Sequence, residues 1–263
     1  MAIILMLFFL LGIAFHQRIT FFSFDYILVI IALASSYVAA TTINDIVDIK
    51  IDKINHPNNK GRPLVTGEAT EKDMYFLHFF AVSIVLIIAL FLGINFLKIF
   101  ILSLVINYIY SLPPFKLSYR AHFAPIILSF AYVFIPYWLG VTISHSLIIL
   151  ERQELFFISG LLFLFFGRII LKDFRDRNGD AAYGKQTLLL KYGKKTTCWL
   201  SFVSVIAGNI CLFLGLPIKN LIILFILELY FGAILFMIYR LSRADEYEDE
   251  QVAIGIGAKI GNG

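Results

Sequence analysis

Residues 24–52, FDYILVIIALASSYVAATTINDIVDIKID, decide the fold of this chain. Residues 24–43 form an apolar run that is long enough to cross roughly 30 Å of hydrocarbon as an α-helix. Asp45, Asp48 and Asp52 follow directly at the spacing i, i+3, i+7, which places three carboxylates along one side of a continuing helix. The stretch therefore predicts a membrane-spanning helix that ends in an acidic stripe.

The composition excludes an ordinary soluble domain. The 263 residues are 60% hydrophobic and 15% charged, and the mean hydropathy is +0.85. A soluble domain is about 45–50% apolar and about 25% charged, so this chain is expected to lie largely in lipid. The net charge of +4 does not indicate a nucleic-acid partner, because the basic residues alternate with apolar runs and form no basic domain. We predict an all-α, polytopic transmembrane helical bundle.

Apolar runs of membrane-spanning length recur along the whole chain. We predict eight spans, at residues 1–15, 24–43, 73–93, 95–112, 122–143, 155–171, 196–216 and 219–240. The connections after the second, fourth, sixth and eighth spans carry many Lys and Arg residues, whereas the opposite connections carry few. This imbalance predicts that the basic face lies in the cytoplasm.

A second acidic motif repeats the first. Asp173, Asp176 and Asp180 have the same spacing and follow the sixth predicted span, as the first motif follows the second span. The equivalent positions suggest two similar four-helix halves, with both motifs on the cytoplasmic face. Beyond the acidic spacing the two halves share little residue identity, so the repeat is a hypothesis about topology.

The first motif has the chemistry of a metal site. Asn44, Asp48 and Asp52 share one helical face, with Asp45 beside them. Carboxylates held so close repel one another unless a cation neutralises them, and hard oxygen ligands hold Mg²⁺ together with phosphate groups. The alternative is a solvated helix end with ordinary acidic residues. Recurrence of the motif favours a diphosphate held by metal.

Basic side chains accompany the second motif. Arg168, Lys172 and Asp176 lie one helical turn apart, and Arg168 stands within an apolar run. A cation at membrane depth usually faces a polar cavity or a partner, so this stripe indicates the wall of an anion-binding cavity. A structural ion pair is the alternative.

Further basic and phenolic groups are expected at the same level. Prolines within the stretch from Tyr110 to Lys116 end the fourth predicted span and hold Lys116 near the membrane surface. Lys53 and Arg62 follow the first motif, and the proline after Arg62 makes a rigid place from which a guanidinium reaches phosphate. The alternative is that each basic residue serves only to orient the chain in the membrane.

These parts fit one type of reaction. A diphosphate leaves an allylic carbon when metal ions and Lys or Arg neutralise its charge, and the carbocation that remains requires a dry, aromatic-lined space. Aromatic residues make up 16% of the chain. They are weak support, because membrane helices are rich in aromatic residues in any case.

The motifs resemble those of the UbiA superfamily of intramembrane prenyltransferases. Asn44 to Asp52 fits the family's NDxxDxxxD motif, Asp173 to Asp180 fits its second aspartate-rich motif, and Tyr110 to Lys116 is similar to its YSxPPxK element. The resemblance covers nearly the whole chain and implies a helical bundle around a central cavity. It further implies a Mg²⁺-dependent transfer of a prenyl chain from a polyprenyl diphosphate to an aromatic quinone precursor or a lipid acceptor.

The resemblance also implies roles for individual residues. The expected metal ligands are Asn44, Asp45, Asp48, Asp52, Asp173, Asp176 and Asp180. The residues expected to bind the diphosphate are Asn44, Lys53, Arg62, Lys116, Arg168 and Lys172. The residues expected to act in catalysis are Asp48, Asp176, Lys116 and Tyr110.

The domain prediction is a single transmembrane prenyltransferase domain over residues 1–263. Members of the superfamily usually have nine transmembrane helices and an N-terminal lead-in, whereas this chain shows eight apolar runs and begins inside the first. We therefore expect the domain to be truncated at the C-terminus, and the N-terminus is open to the same interpretation.

Two other classes of protein compete with the enzyme as explanations of the sequence. A soluble isoprenyl diphosphate synthase shares paired aspartate motifs but has no use for eight apolar spans, so the composition excludes it. A membrane transporter or lipid-binding protein with a metal or anion site is the remaining alternative. Its charged residues would be expected near the middle of the membrane, whereas these acids cluster at helix ends.

Overall fold

The chain is all-helical over the part that the structure describes. A computed structural model of the chain describes residues 2–16, 23–57, 61–144, 150–216, 220–244, 252 and 254. These residues form helices and turns and include no strand, which confirms the predicted fold class. The chain divides into two compact units, Met1–Ile149 and Leu150–Gly263. The division falls after the fifth predicted span, so the units differ from the two four-helix halves that the repeat suggested.

The first unit contains eight α-helices among its described residues. They are α1 (Ala2–His16), α2 (Phe24–Val47), α3 (Ile49–Asn55), α4 (Pro63–Thr66), α5 (Glu71–Leu92), α6 (Ile94–Ser111), α7 (Phe123–Ser129) and α8 (Ile135–Ser144). A π-helical turn, Phe130–Phe134, joins α7 and α8 into one long helix. Pro136 follows this turn, and proline lacks the N–H of a regular helix, which favours the wider turn here.

The second unit contains four α-helices among its described residues. They are α9 (Arg152–Ile169), α10 (Asp173–Ala182), α11 (Leu188–Gly215) and α12 (Leu221–Arg243). A short 3₁₀ turn, Ile170–Lys172, connects α9 to α10. Gly193 interrupts α11 with φ 78°, a left-handed conformation that glycine adopts without strain. The apolar segment after Gly193 corresponds to the span predicted at 196–216.

Among the described residues, seven helices are long and apolar enough to cross a membrane. They comprise α2, α5, α6, the joined α7 and α8, the joined α9 and α10, α11, and α12. Helix α1 has 15 residues, and at the usual helical rise it is only about 22 Å long, less than the hydrocarbon thickness. The membrane character is therefore confirmed, whereas the predicted count of eight spans is not.

The core of the first unit packs α2 against α5 and α6, and α1 against α8. Fully buried side chains such as Phe9, Val29, Val85 and Phe100 fill this core. A hydroxyl pair, Ser36 and Ser103, lies 3.2 Å apart between α2 and α6. Small side chains and hydroxyl contacts of this kind let membrane helices approach closely. The same packing fixes the end of α2, where the first acidic motif begins.

The second unit is built on close packing of α9 against α11. The Ser201 hydroxyl on α11 donates to the Gly167 carbonyl on α9 at 2.7 Å. On the outer side of the unit, the Asn209 amide of α11 donates to the Glu228 carboxylate of α12 at 2.9 Å. Glu228 therefore has a hydrogen-bond partner within its own unit. The contact between α9 and α11 places the second acidic motif, because α10 continues the path of α9.

The tight contact between α1 and α8 makes a testable prediction about Gly140. A Cβ atom at Gly140 would lie 2.2 Å from the Phe9 carbonyl oxygen, so Gly140→Ala must force the two helices apart. We expect it to lower the free energy of unfolding by about 1–3 kcal/mol, the usual cost of overpacking. Unfolding of the purified chain in mixed detergent micelles measures the change.

Gly232 on α12 provides the matched control for this substitution. A Cβ at Gly232 would meet no atom within 4 Å, so Gly232→Ala should leave the stability unchanged or raise it slightly. Equal effects of the two substitutions would contradict the predicted role of the helix contact.

Candidate active site

The first acidic motif lies where α2 passes into α3. Helix α2 ends at Val47 and α3 begins at Ile49, with Asp48 at the turn between them. The Asp48 N–H still donates to the Asn44 carbonyl at 2.9 Å, and the Asp52 N–H donates to the Asp48 carbonyl at 2.9 Å. Because both bonds span four residues, the helical spacing continues through the turn. The backbone thus confirms the helical placement predicted for the motif.

Arg62 joins two carboxylates of the first motif. Its Nη1 atom donates to Asp52 Oδ2 at 2.6 Å and also donates to Asp45 Oδ1. The sequence predicted that Asn44, Asp48 and Asp52 share the functional face with Asp45 at its side. The structure pairs Asp45 with Asp52 through one guanidinium, because residues seven apart on a helix are almost in line.

Burial increases the electrostatic cost of this cluster. Asp48 and Asp52 are only 4% and 7% exposed. Burial raises the pKa of the Asp52 carboxyl, and the positive charge of Arg62 opposes this effect by lowering it. The charges of Asp45 and Asp48 raise the Asp52 pKa further. The Arg62 guanidinium therefore offsets part of the effect of burial on Asp52.

The backbone of Arg62 is held by a short helix. Arg62 caps the start of α4, and its carbonyl accepts the N–H groups of Val65 at 2.9 Å and Thr66 at 3.1 Å. Pro63 occupies the first helical position, where its fixed φ favours the turn. The sequence predicted that the proline after Arg62 would make its backbone rigid, and the structure shows Arg62 at the capped start of α4. In this structure the guanidinium binds carboxylates, whereas the sequence predicted a phosphate ligand.

The second acidic motif lies on α10. Asp176 and Asp180 are buried and Asp173 is half-buried at the first turn. Lys172 Nζ lies 3.4 Å from Asp176 Oδ2, so Lys172 and Asp176 do share a helical stripe as predicted. Arg175 Nε also approaches Asp176, at 3.6 Å from Oδ1. Arg168 is half-buried in the last turn of α9, one turn before Lys172.

Lys185 is a partner of the second motif that the sequence did not single out. Its Nζ lies 3.3 Å from Asp180 Oδ1, and its N–H donates to the Asp180 carbonyl at 2.9 Å. The only signal for this contact was a lysine five residues after the last aspartate. Like the first motif, the second motif is approached by a basic residue from its own following loop.

The YSxPPxK element ends α6 and orients Lys116. Tyr110 is half-buried in the last turn of α6, and the Pro113-Pro114 bond is cis. Lys116 has φ 39°, which is unusual for a residue with a side chain, and its Nζ lies 3.7 Å above the ring of Tyr119. Tyr119 was not predicted as a site residue. Lys116 thus meets an aromatic face, and a phosphate would have to compete with that contact.

The remaining predicted site residues lie on the same helix ends. Asn44 is half-buried in the last turn of α2, and Lys53 is exposed in the last turn of α3. Two tyrosine side chains meet about two helical turns before the first motif. Tyr37 of α2 is in edge contact with Tyr132, with ring centroids 6.3 Å apart. A small apolar pocket of about 150 Å³ also lies in this unit, and it is lined by Lys98, Ile99, Leu102, Phe130, Phe134, Ile135 and Trp138. The predicted central cavity stays a prediction.

A buried histidine, which the sequence did not indicate, ties three helices together near the first motif. His78 Nδ1 lies 2.9 Å from the Ala39 carbonyl, and because a carbonyl only accepts, Nδ1 carries the proton. His78 Nε2 then accepts from the Tyr108 hydroxyl at 2.8 Å. Thr42, one turn before Asp45, is 3.4 Å from Nδ1. The network holds α2 against α5 and α6 where the motif begins.

The donor atoms of both motifs suit a hard divalent cation. Carboxylate oxygens are the ligands that Mg²⁺ prefers, and the Arg62 nitrogen shows that the space between Asp45 and Asp52 accommodates one positive centre. Among the described residues, no three acidic, histidine or cysteine side chains already converge on one point. The residues therefore fit the ion in their chemistry, and binding it requires the basic partners to move.

The sequence profile described as the UbiA prenyltransferase family matches residues 5–262. The chain is 31% identical over 168 residues to a chloroplastic chlorophyll synthase of Oryza sativa subsp. japonica, which covers 60% of this chain and 43% of that protein. It is 29% identical over 165 residues to a digeranylgeranylglyceryl phosphate synthase of Methanocaldococcus jannaschii, covering 63% and 54%. The matched part of the chain thus spans only about half the length of these relatives, or less.

Solved structures share the fold. A UbiA homolog from Archaeoglobus fulgidus bound to GPP and Mg²⁺ is similar with a TM-score of 0.74 and 17% identity, covering 100% of this chain and 96% of that chain. An apo UbiA homolog from Aeropyrum pernix K1 has a TM-score of 0.69 and 17% identity, covering 99% and 98%. At this identity the likeness concerns the fold alone.

The histidine network makes a testable prediction about Tyr108. Tyr108→Phe removes the donor to His78 Nε2 and leaves a buried acceptor unsatisfied, so we expect a loss of about 1–3 kcal/mol in the free energy of unfolding. Tyr75→Phe, on an exposed residue of α5, is the control and should have little effect. Denaturation of both variants in micelles tests this, and an unchanged Tyr108→Phe protein would contradict it.

Proposed function

The chain belongs to the UbiA prenyltransferase family, and we propose that it transfers a prenyl chain from a prenyl diphosphate to an acceptor within the membrane, with release of diphosphate. The observation that carries the proposal is the pair of acidic motifs. Each places buried carboxylates, Asp48 and Asp52 or Asp176 and Asp180, at the end of a membrane-spanning helix. Each is also approached by basic side chains that suit phosphate.

Relatives support this class of reaction. Proteins similar to this chain are named as chlorophyll synthases and digeranylgeranylglyceryl phosphate synthases. Solved UbiA homologs of the same fold are bound to DMAPP and Mg²⁺ or to GPP and Mg²⁺. Because the matched part of the chain is only about half as long as its relatives or shorter, the activity of the whole protein is proposed here from its motifs as well as from its relatives.

The metal ligands in this proposal are the two carboxylate sets. They are Asn44, Asp45, Asp48 and Asp52 in the first unit, and Asp173, Asp176 and Asp180 in the second. The chemistry that bound Mg²⁺ would supply is neutralisation of the negative charge on the departing diphosphate. The carboxylates hold the ion, and their burial excludes water that would otherwise weaken the electrostatic interaction.

The basic residues bind the diphosphate in this proposal. They are Lys53, Arg62, Lys116, Arg168 and Lys172. Arg62 and Lys116 sit on well-defined backbone, a helix cap and a left-handed turn, so their side chains start from fixed points. A charge that is already positioned stabilises the departing diphosphate more strongly than a flexible one. The reason is that the positioned side chain need not be ordered when the charge develops in the transition state.

The acceptor is proposed at the level of its class. An aromatic quinone precursor or a lipid reaches the reacting carbon from within the membrane, and the phenols of Tyr37, Tyr110 and Tyr132 are proposed to line that approach. Electron-rich rings stabilise an allylic cation through their faces and do not capture it as water would. We also propose that both motifs face the cytoplasm, on the strength of the basic connections that follow the same helices.

The direct test is an acceptor screen. Membranes that contain the full-length protein would be incubated with labelled prenyl diphosphates, Mg²⁺ and a panel of aromatic and lipid acceptors, and products would be identified by mass. The proposal predicts a prenylated product together with free diphosphate. Metal-independent passage of intact prenyl diphosphate across the membrane, without diphosphate release, would contradict it and favour a transporter.

Substitution of single carboxylates tests the site within this reaction. Asp48→Asn and Asp176→Asn each remove a charged metal ligand without creating a core cavity, so we expect turnover to fall by about 100-fold or more while the folded protein is retained. Asp25→Asn, at the exposed opposite end of α2, is the matched control and should keep parent activity. Loss of activity that only follows loss of folded protein would contradict a role in the site.

A further inference from the structure

We infer that Arg62 is a built-in counter-ion of the first acidic motif, which Mg²⁺ displaces and which then binds the diphosphate. The inference rests on the proposed function and adds an order of events to it. Arg62 in this account is a positioning residue that changes partners. It occupies the carboxylates when metal is absent, and it couples metal binding to diphosphate binding.

The geometry of the guanidinium carries the first step. An arginine that pairs with one carboxylate usually presents two nitrogens to its two oxygens. Here one nitrogen, Nη1, donates to both Asp45 Oδ1 and Asp52 Oδ2, the second at 2.6 Å. A single positive centre between oxygens of two carboxylates is the arrangement that a metal ion would have there. Arg62 therefore occupies the place of a cation.

Burial explains why the motif contains a counter-ion. The side chains of Asp45 and Asp52 are 17% and 9% exposed, so solvent screens their charges poorly. Two poorly solvated carboxylates this close repel each other strongly unless a cation accompanies them. Arg62 supplies that cation from the loop that follows the motif. The two carboxylates thus have a positive partner in the absence of metal.

Metal and guanidinium compete for the same oxygens. Mg²⁺ requires oxygen ligands at about 2.0–2.1 Å in near-octahedral geometry. An N–H donor 2.6 Å from Asp52 Oδ2 uses the lone pair that the ion would need. Binding of Mg²⁺ by Asp45 and Asp52 consequently requires that Arg62 leaves. The presence of Arg62 should weaken binding of metal alone.

Arg62 is mounted so that its side chain can leave without moving its backbone. The cap of α4 fixes the main chain, while the side chain is long and 21% exposed. Once displaced, a guanidinium has high affinity for diphosphate oxygens. Diphosphate that captures Arg62 removes the competitor from the carboxylates. Metal and diphosphate should therefore strengthen each other's binding, and by linkage the effect is reciprocal.

The test measures metal binding in the absence of any reaction. Mn²⁺, as a paramagnetic substitute for Mg²⁺, would be titrated by electron paramagnetic resonance into the purified full chain in detergent, with and without inorganic diphosphate. A protein-free titration corrects for Mn²⁺ held by diphosphate in solution. We expect Arg62→Gln to bind Mn²⁺ alone at least about fivefold more tightly than the parent. In the same variant diphosphate should enhance Mn²⁺ binding less than it does in the parent.

Two further variants make the result specific. Lys50→Gln removes the same charge from an exposed position two residues before Asp52 and should leave Mn²⁺ affinity within about twofold of the parent. Arg62→Lys keeps the charge and should restore weak binding of metal alone. A general electrostatic effect would raise affinity equally in Lys50→Gln and Arg62→Gln, and that result would overturn the inference.

Failure of this inference can be told from failure of the proposed function. If the parent transfers a prenyl chain but Arg62→Gln binds Mn²⁺ alone no more tightly than the parent, the counter-ion role is wrong and the function stands. If no acceptor is prenylated but Arg62→Gln still gains Mn²⁺ affinity, the counter-ion role stands and the function is wrong. A thermal unfolding curve of each variant confirms that folded protein was compared.

Discussion

The structure depends on neutralising carboxylates at the ends of apolar helices. Asp48, Asp52, Asp176 and Asp180 are all buried, in a chain that is only 15% charged. Burying such charges costs far more free energy than packing can restore unless cations accompany them. Arg62 supplies one for the first motif, and the second motif is approached by lysines and an arginine. In each unit, a segment that follows the motif supplies a basic side chain to it.

The helices position these charges through close contacts of small and polar residues. Glycine at position 140 lets α8 approach α1, and Ser201 bonds α11 to the backbone of α9. The His78 network fixes α2 just before the first motif. Because lipid offers no strong hydrophobic drive between helices, such contacts decide how membrane helices pack. The acidic motifs therefore lie at well-packed ends of helices, while Arg62 and Lys185 reach them from the segments that follow.

Much of the fold was predictable, because membrane helices are encoded by local composition. The apolar runs locate the seven spanning helices of the described residues, and Gly93 separates α5 from α6 at the boundary predicted between the spans at 73–93 and 95–112. The predicted count of eight spans is not confirmed, because α1 has 15 described residues and seven other described helices reach spanning length. The helical spacing of both motifs, including the contact of Lys172 with Asp176, follows from the sequence as well.

The partners of the site residues were harder to predict. The pairings of Arg62 with Asp45, of Lys185 with Asp180, and of Lys116 with Tyr119 all depend on how a loop folds back. The periodicity of a helix does not show where the following loop brings its side chains. His78 was missed for a related reason, because its contacts lie on other helices, far away in the chain. The sequence thus indicated the chemistry of the motifs, but it did not show which basic residue pairs with which carboxylate.

A double-mutant cycle on Arg62 and Asp52 tests the central claim most directly. The free energy of unfolding of the full chain would be measured in chelator-treated micelles for the parent, Asp52→Asn, Arg62→Gln and the double variant. If the guanidinium neutralises the motif, the double variant should lose less stability than the sum of the single variants, by about 1 kcal/mol or more. Additivity of the two losses within about 0.3–0.5 kcal/mol would contradict the account.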